Sequence, residues 1–251
     1  ARGSKIGAAC NYHPDLAPGN WDDPENPGAQ PRLSGANNRT NIYYMETDDF
    51  GRTWHTASGT ALDIPLTSPS NPALVHDYAR EGLLVYMMDM DFDADDRPVI
   101  LYLTSRGSES GPRNDPRTWT VARWTGDAWS VHPVTTSDNN YDMGSIYSGP
   151  GGELRIIGPT DTGPQSYNSG GDMVLWTTRD HGVTWKKERL ITSGGPYNHS
   201  YARKPLSAHP DFFSFWADGN GREPSPSRLY FCDRTGKKVF MLPETMTYER
   251  E

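Results

Sequence analysis

One eight-residue pattern occurs twice in the sequence and constrains the fold more than any other feature. The first copy is Thr47–Trp54, and the second, Thr178–Trp185, has the same Thr, Asp, Gly, Thr and Trp in register. Each copy follows a strand-like run, at 41–46 and at 173–177. In such a turn Asp accepts hydrogen bonds from the backbone, Gly supplies a positive φ and Trp packs on the neighbouring strand. A turn repeated with its flanking strand predicts a repeat architecture built from β-hairpins.

The composition favours many short strands over long helices. The 251 residues are 34% hydrophobic and 11% aromatic, with 25 glycines and 21 prolines, which is typical of turn-rich all-β proteins. The formal net charge of -8 argues against a generic nucleic-acid surface, which is normally basic. It allows an anionic ligand held in a locally basic pocket. We therefore expect neither nucleic acid nor a membrane as a partner.

Cysteine usage and the start of the sequence bear on metals and localisation. Cys10 and Cys232 are too few for a disulfide framework, and the sequence leaves open whether they pair. Cys10 and His13 have a C-x2-H spacing without an evident second pair, so no cofactor is required, and a structural metal ion stays an open question. No segment approaches the roughly 18 apolar residues of a membrane span. The sequence starts at Ala1 without a signal peptide, and we expect a processed or N-terminally incomplete protein that is extracellular or periplasmic.

Strand candidates recur in units of four with a period of about 60 residues, as in propeller blades. We predict an all-β β-propeller domain over 1–251, with four-stranded antiparallel blades at 1–70, 71–137, 138–194 and 195–251. The predicted strands are 5–13, 41–47 and 54–65; 83–92, 98–104, 118–124 and 129–135; 144–148, 153–159, 173–178 and 185–192; and 204–208, 212–217, 228–232 and 238–242.

The first predicted blade contains only its second, third and fourth strands. Its innermost strand would precede Ala1. An arc of about four blades exposes unpaired strand edges, which are a liability for a soluble protein. We therefore expect a part of a larger ring, with the remaining blades supplied by a further segment or another chain. A compact four-bladed propeller is the alternative, since four blades lie within the known range.

Propeller geometry sorts the loops onto two faces. The repeated Asp turns join third to fourth strands, so we expect their carboxylates to be structural. The opposite face receives the loops that enter each blade and those that join second to third strands, and binding residues gather on such loops. The candidates that this sorting brings together on the loops are His13, His76, Tyr141, His199, Tyr201 and Arg203.

Several motifs resemble those of BNR-repeat (Asp-box) propellers. They are the two repeated turns, Asn11–Pro14, Asn38–Tyr44, Asn140–Ser145 and Ala208–Phe212. In particular they are similar to a seven-bladed branch that includes propeller-type ulvan lyases and related α-L-rhamnosidases, of which this chain would form the later blades. By position, the resemblance implies His76, Tyr141, Tyr201 and Arg155 as site residues. Together with the loop sorting, we predict His76, Tyr141 and His13 as catalytic residues, and Arg155, His199, Tyr201 and Arg203 as substrate-binding residues. A second family His expected in the blade after His76 has no match around Asp96–Pro98, which is a departure from the pattern.

Three functions compete. In the first, an anionic uronate polysaccharide is cleaved by β-elimination, with His or Tyr moving protons and Arg neutralising the carboxylate. In the second, the chain belongs to a glycoside hydrolase of the same fold, of the rhamnosidase or sialidase type. A conventional hydrolase uses paired carboxylates, for which Asp77, Asp142 and Asp218 are candidates on the same face, whereas three arginines spaced to clamp a sialic-acid carboxylate are not evident. In the third, the propeller binds carbohydrate without catalysis.

Overall fold

The computed structural model describes residues 1–13, 38–243 and 245. Seventeen strands form four antiparallel sheets, with two single-turn 3₁₀ helices at Pro112–Asn114 and Pro150–Gly152. The first sheet has the order β1-β2-β3-β4, and β5 also pairs with β2. Its strands are β1 (Ile6–Tyr12), β2 (Thr40–Thr47), β3 (Trp54–His55), β4 (Ala61–Leu62) and β5 (Leu74–His76). The described residues form no helix with the length and apolar character that a membrane crossing requires.

The other three sheets each contain four strands in sequence order, as in propeller blades. The second sheet contains β6 (Leu84–Phe92), β7 (Pro98–Ser105), β8 (Arg117–Trp124) and β9 (Trp129–Ser137). The third contains β10 (Ser145–Ser148), β11 (Leu154–Asp161), β12 (Asp172–Thr178) and β13 (Lys186–Leu190). The fourth contains β14 (Asn198–Arg203), β15 (Ser214–Gly219), β16 (Leu229–Cys232) and β17 (Val239–Met241).

Apolar side chains fill the space between neighbouring sheets. Ile42 and Tyr44 of the first sheet pack with Ile100 and Tyr102 of the second. Similar clusters lie between the second and third sheets and between the third and fourth. Every residue of β7 is buried because both faces of its sheet are covered, which explains its nearly continuous apolar sequence. The predicted all-β blade architecture is confirmed.

Both Asp-boxes form the predicted turns between third and fourth strands. The Asp49 carboxylate accepts from the backbone N–H groups of Arg52 and Thr53 at 2.9 and 3.0 Å. Asp180 does the same in the second copy, at 3.1 and 3.0 Å. Gly51 and Gly182 have φ of 85° and 91°, where a side chain would be strained. These carboxylates are therefore structural in the present fold.

Three strand predictions differ from the structure. The innermost strand of the fourth sheet is Asn198–Arg203 and not 204–208, because Pro205 has no N–H to give to a sheet. The segment 71–137, assigned to the second blade, contributes β5 to the first sheet through the pairing of His76 with Ile42. The predicted strand 54–65 is broken into the two short strands β3 and β4.

The first sheet has no inner neighbour for β1 among the described residues. At the other end of the arc, the far face of the fourth sheet carries phenylalanines in contact. The Phe231 ring centroid lies 4.8 Å from that of Phe212, in a tilted arrangement, and 4.9 Å from that of Phe240, on which it stacks. Phe240 is 46% exposed. An edge strand without a partner and an apolar sheet face are the features expected of a partial ring.

The connections emerge on two faces, which we name for what they carry. The loop face carries the entries into the innermost strands and the second-to-third connections, at 76–83, 106–116, 138–144, 162–171, 195–197 and 220–228. The Asp-box face carries the remaining turns, at 48–53, 93–97, 125–128, 149–153, 179–185, 204–213 and 233–238. Neighbouring turns on the Asp-box face touch, since the His181 N–H donates to the Gly152 carbonyl at 3.0 Å.

Candidate active site

A cluster of two tyrosines and an arginine lies on the loop face. The Tyr141 ring meets the Tyr86 ring edge-on, with 5.5 Å between centroids and 72° between planes. The Arg39 guanidinium carbon lies 5.6 Å from the centroid of the same Tyr86 ring. Burial raises the pKa of Tyr86 to about 12, so this hydroxyl stays protonated at neutral pH. We call Arg39, Tyr86 and Tyr141 the Tyr–Arg cluster.

Arg39 is fixed by backbone contacts between the first and second sheets. Its carbonyl accepts from the Val85 N–H at 2.7 Å, and the Asn11 side chain donates to the Val85 carbonyl at 3.0 Å. Sequence reasoning used Asn38 and Arg39 for the resemblance but did not count Arg39 among the site residues. Its position just before β2 would have placed Arg39 on the loop face and could have identified it as a site residue.

Tyr141 sits on a turn whose backbone is held by a buried carboxylate. Asp142 is fully buried and accepts from the backbone N–H groups of Asn139 at 2.9 Å and Gly170 at 2.7 Å. Burial raises the pKa of Asp142 well above its usual value. The Asn140 side chain accepts from Arg117 at 3.0 Å. Asp142 therefore positions Tyr141 and is closed to a substrate.

The other two acidic candidates are also engaged in structural contacts. Asp218 is buried, and its carboxylate accepts from the Arg228 N–H at 2.7 Å and from the Tyr230 hydroxyl at 2.9 Å. Asp77 forms an ion pair with Arg80 at 3.0 Å. The three carboxylates considered for a hydrolase therefore do not form a facing pair open to a sugar ring.

His76 lies at the end of β5 beside a carboxylate. Its Nε2 is 2.5 Å from Glu81 Oε1, and its ring centroid is 4.2 Å from that of Tyr78. Tyr78 is buried and shares a 2.7 Å hydrogen bond with the Tyr102 hydroxyl, which gives His76 a rigid support. A half-exposed His oriented by a carboxylate has the arrangement required for proton transfer.

A groove of about 450 Å³ extends the loop face over the fourth sheet. It is lined by Ser169, Ser200, Tyr201, Asn220 and Glu223, among others. Tyr201 is 44% exposed, and the Arg203 guanidinium carbon lies 5.5 Å from its ring centroid. The Ser169 hydroxyl donates to the Tyr141 carbonyl at 3.2 Å. The groove therefore adjoins the turn that carries Tyr141.

His199 lies in the core of the fourth sheet and not on the binding surface. It is 6% exposed, its Nδ1 accepts from the Trp216 indole N–H at 3.0 Å, and the Tyr230 ring packs edge-on at 5.0 Å. Burial lowers the pKa of His199. A neutral, hydrogen-bonded core histidine explains this residue without a substrate.

Arg155 and His13 complete the predicted site residues. Arg155 follows the first-to-second turn of its sheet, which places it on the Asp-box face beside Glu153. His13 is exposed after β1, and the loop that continues from it lies outside the described residues. Cys10 is exposed and Cys232 is buried, both as free thiols. Across the described ranges, no group of three or more His, Cys, Asp or Glu side chains is arranged to hold a metal ion.

Known structures share this fold. A polysaccharide lyase of the PL25 family, an ulvan lyase bound to -[GlcA(1-4)Rha3S]-, superposes with a TM-score of 0.65 at 17% identity, covering 92% of this chain and 49% of the lyase. A protein of unknown function from Dyadobacter fermentans gives 0.55 at 16% identity, covering 95% of this chain and 61% of that protein. The polysaccharide lyase Uly1 gives 0.50 at 12% identity, covering 78% and 40%.

At these identities the likeness is one of fold, and this chain spans about half the length of the ulvan lyase. A search of curated proteins finds no significant match. A family model described as a BNR repeat-containing family member matches residues 26–137, a segment that includes the first Asp-box and Arg39. Residues 26–137 therefore match a BNR repeat-containing family, and the resemblance to BNR-repeat propellers predicted from the sequence is confirmed.

Proposed function

We propose that this chain is part of a carbohydrate-active propeller that cleaves a uronic-acid polysaccharide by β-elimination outside the cytoplasm, in an extracellular or periplasmic location. The observation that carries the proposal is the Tyr–Arg cluster, in which a cation and the Tyr141 side chain flank one buried ring beside an open groove. The ulvan lyase with the same fold binds a glucuronate-containing ligand, which supports an anionic polysaccharide as substrate.

The chemistry assigns a role to each residue. Abstraction of the C5 proton next to the carboxylate leaves an electron pair that forms the C4–C5 double bond as the C4–O4 bond breaks. Arg39 offsets the charge that builds on the carboxylate. Tyr141 and His76 carry the proton transfers, one removing the C5 proton and the other protonating O4. Tyr201 supplies an aromatic wall for a neighbouring sugar ring.

The burial of Asp142 and Asp218 argues against a conventional hydrolase that uses these residues, because that mechanism needs two accessible carboxylates. Arg203 reaches the Met88 carbonyl at 3.5 Å and packs on Tyr201, so we assign it to supporting Tyr201.

The test is the product formed from uronate polysaccharides. We expect an unsaturated product that absorbs in the ultraviolet, and its loss in Arg39→Ala with the fold intact by circular dichroism. The matched control is Arg106→Ala, an exposed arginine on the same face. New reducing ends without ultraviolet absorbance would show hydrolysis, and binding without either product would show a carbohydrate-binding propeller. Both results contradict the proposal, as does full activity of Arg39→Ala.

A further inference from the structure

We propose a second binding site, for an oxyanion, in a cavity of about 350 Å³ on the Asp-box face between the third and fourth sheets. We call it the rear cavity. Its lining includes Tyr147, Ser148, Arg155, Lys204, Phe213 and Arg234. The site lies on the face opposite the Tyr–Arg cluster, so the inference does not depend on the proposed function.

Three cations converge on the rear cavity, and each of them contacts a carboxylate. Arg155 and Arg234 approach the same oxygen, Oε1 of Glu153, at 2.5 and 3.5 Å. Lys204 bonds to Asp91 at 3.0 Å, lies 3.8 Å from Asp89 and donates to the Ile146 carbonyl at 2.8 Å. A guanidinium has five N–H donors in a fixed fork, and one shared carboxylate oxygen cannot use the donors of two arginines. The two arginines therefore keep N–H donors that Glu153 does not use.

Buried polar atoms in the lining also lack partners. Among the described residues, the Tyr147 hydroxyl, Ser148 Oγ and Arg234 Nε are buried without a hydrogen bond. Tyr147 is only 5% exposed, and its ring stacks on Phe213 at 4.2 Å. Ser214 neighbours the Tyr147 hydroxyl but does not meet it with hydrogen-bond geometry. Since buried polar groups are normally paired, these atoms indicate a ligand that supplies acceptors.

An oxyanion is the ligand chemistry that fits this lining. Each of the three unpartnered atoms can donate a hydrogen bond, and burial raises the pKa of Tyr147 so that its hydroxyl keeps its proton. Sulfate and carboxylate groups offer several acceptors and pair with arginine in two-pronged geometry. The group could be a free anion or one carried by a saccharide, and the two sources can be separated by experiment.

The test is calorimetric titration with sodium sulfate and, separately, with a glucuronate oligosaccharide, at constant ionic strength set by sodium chloride. We expect saturable binding of at least one probe by the wild-type protein. Arg234→Gln should weaken it about tenfold or more, because a charge-assisted hydrogen-bonding group is lost. Tyr147→Phe keeps the stacked ring and should weaken binding several-fold. Arg52→Gln, an exposed arginine of the first Asp-box, is the matched control and should bind as the wild type.

The probe whose affinity falls in Arg234→Gln identifies the source of the anion. Sulfate binding that Arg234→Gln weakens supports a free inorganic anion as ligand, and oligosaccharide binding weakened in the same way supports a saccharide-borne group. Oligosaccharide binding on the loop face should be the same in wild type, Arg234→Gln and Tyr147→Phe. It therefore does not contribute to the difference in affinity between them. Absence of saturable binding of both probes, or equal affinity in wild type, Arg234→Gln and Tyr147→Phe, would overturn the proposal. If Arg234→Gln fails to fold, Tyr147→Phe decides the question.

Discussion

The Ser169 hydroxyl donates a hydrogen bond to the Tyr141 carbonyl at 3.2 Å, and this contact joins two parts of the loop face. On one side lies the Tyr–Arg cluster, and on the other lies the groove that Ser169 lines together with Tyr201. Under the proposed function, a saccharide chain bound at Tyr141 would continue into this groove.

Replacement of Tyr141 by phenylalanine tests the proposed chemistry directly. The variant keeps the edge-on contact with Tyr86 and loses only the hydroxyl, so we expect kcat to fall about 100-fold or more with little change in KM or in unfolding temperature. Steady-state kinetics on a uronate polysaccharide measures the effect. Tyr167→Phe is the control, since it removes a different tyrosine hydroxyl on the same face. That hydroxyl lies 3.4 Å from the Asp115 carboxylate. Equal kcat in the wild type and Tyr141→Phe would remove Tyr141 from the mechanism.

Asp142 provides a prediction about stability. Asp142→Ala leaves the N–H groups of Asn139 and Gly170 buried without an acceptor, and we expect a loss of about 2–4 kcal/mol in the free energy of unfolding. Asp142→Asn retains an acceptor oxygen and should lose less. Urea denaturation measures both. A stable Asp142→Ala variant without activity would instead indicate a catalytic carboxylate and revive the hydrolase hypothesis.

Much of the fold could be predicted because its signals are local. Periodic apolar runs such as β7 and the Asp, Gly and Trp of the Asp-boxes have direct structural consequences. The innermost strand β14 carries no such pattern, since its sequence is polar and its pairing depends on neighbours such as Gly171, which forms a bridge with His199. Pro205 disfavours a strand over 204–208, but the position of β14 depends on tertiary contacts that the sequence does not display.

The site was less predictable because residue type does not reveal exposure. His199 and Tyr201 are two residues apart in one strand, yet the first is buried against Trp216 and the second faces the groove. Arg155 was assigned from the family resemblance, although its place after a first-to-second turn already puts it on the Asp-box face. Arg39 was missed because its contact with the Tyr86 ring joins two different sheets, and the sequence does not display such a contact.

From the Asp-boxes we expect the free energy of unfolding to fall in acid. Side-chain hydrogen bonds from Thr178 and Thr184 lower the pKa of Asp180 below its usual 3.8. A carboxyl with a lowered folded-state pKa stabilises the protein above about pH 4, and that contribution is lost as the pH falls through the folded-state pKa. We expect Asp180→Asn to be less stable than wild type at pH 6 and to approach it at pH 3. Urea denaturation at both values measures the difference, with exposed Asp48→Asn as a control that should match wild type throughout. The account would be contradicted if wild type and Asp180→Asn differed in unfolding free energy by the same amount at pH 6 and at pH 3.

His199 predicts a second pH dependence, at higher pH and with a separate cause. Burial lowers its pKa below the usual 6.5, so the unfolded chain binds the proton more readily and stability falls as the pH drops below about 6.5. His199→Asn keeps an acceptor for the Trp216 indole N–H and cannot titrate, so its stability should change less than that of wild type between pH 7 and pH 5.

His199→Leu leaves the Trp216 indole N–H unpaired and should lose about 1–3 kcal/mol in the free energy of unfolding at pH 7. His209→Asn, at an exposed position, is the control and should follow the wild-type curve. If His199 instead bound substrate, both His199 variants would keep wild-type stability at pH 7 and lose affinity for the polysaccharide.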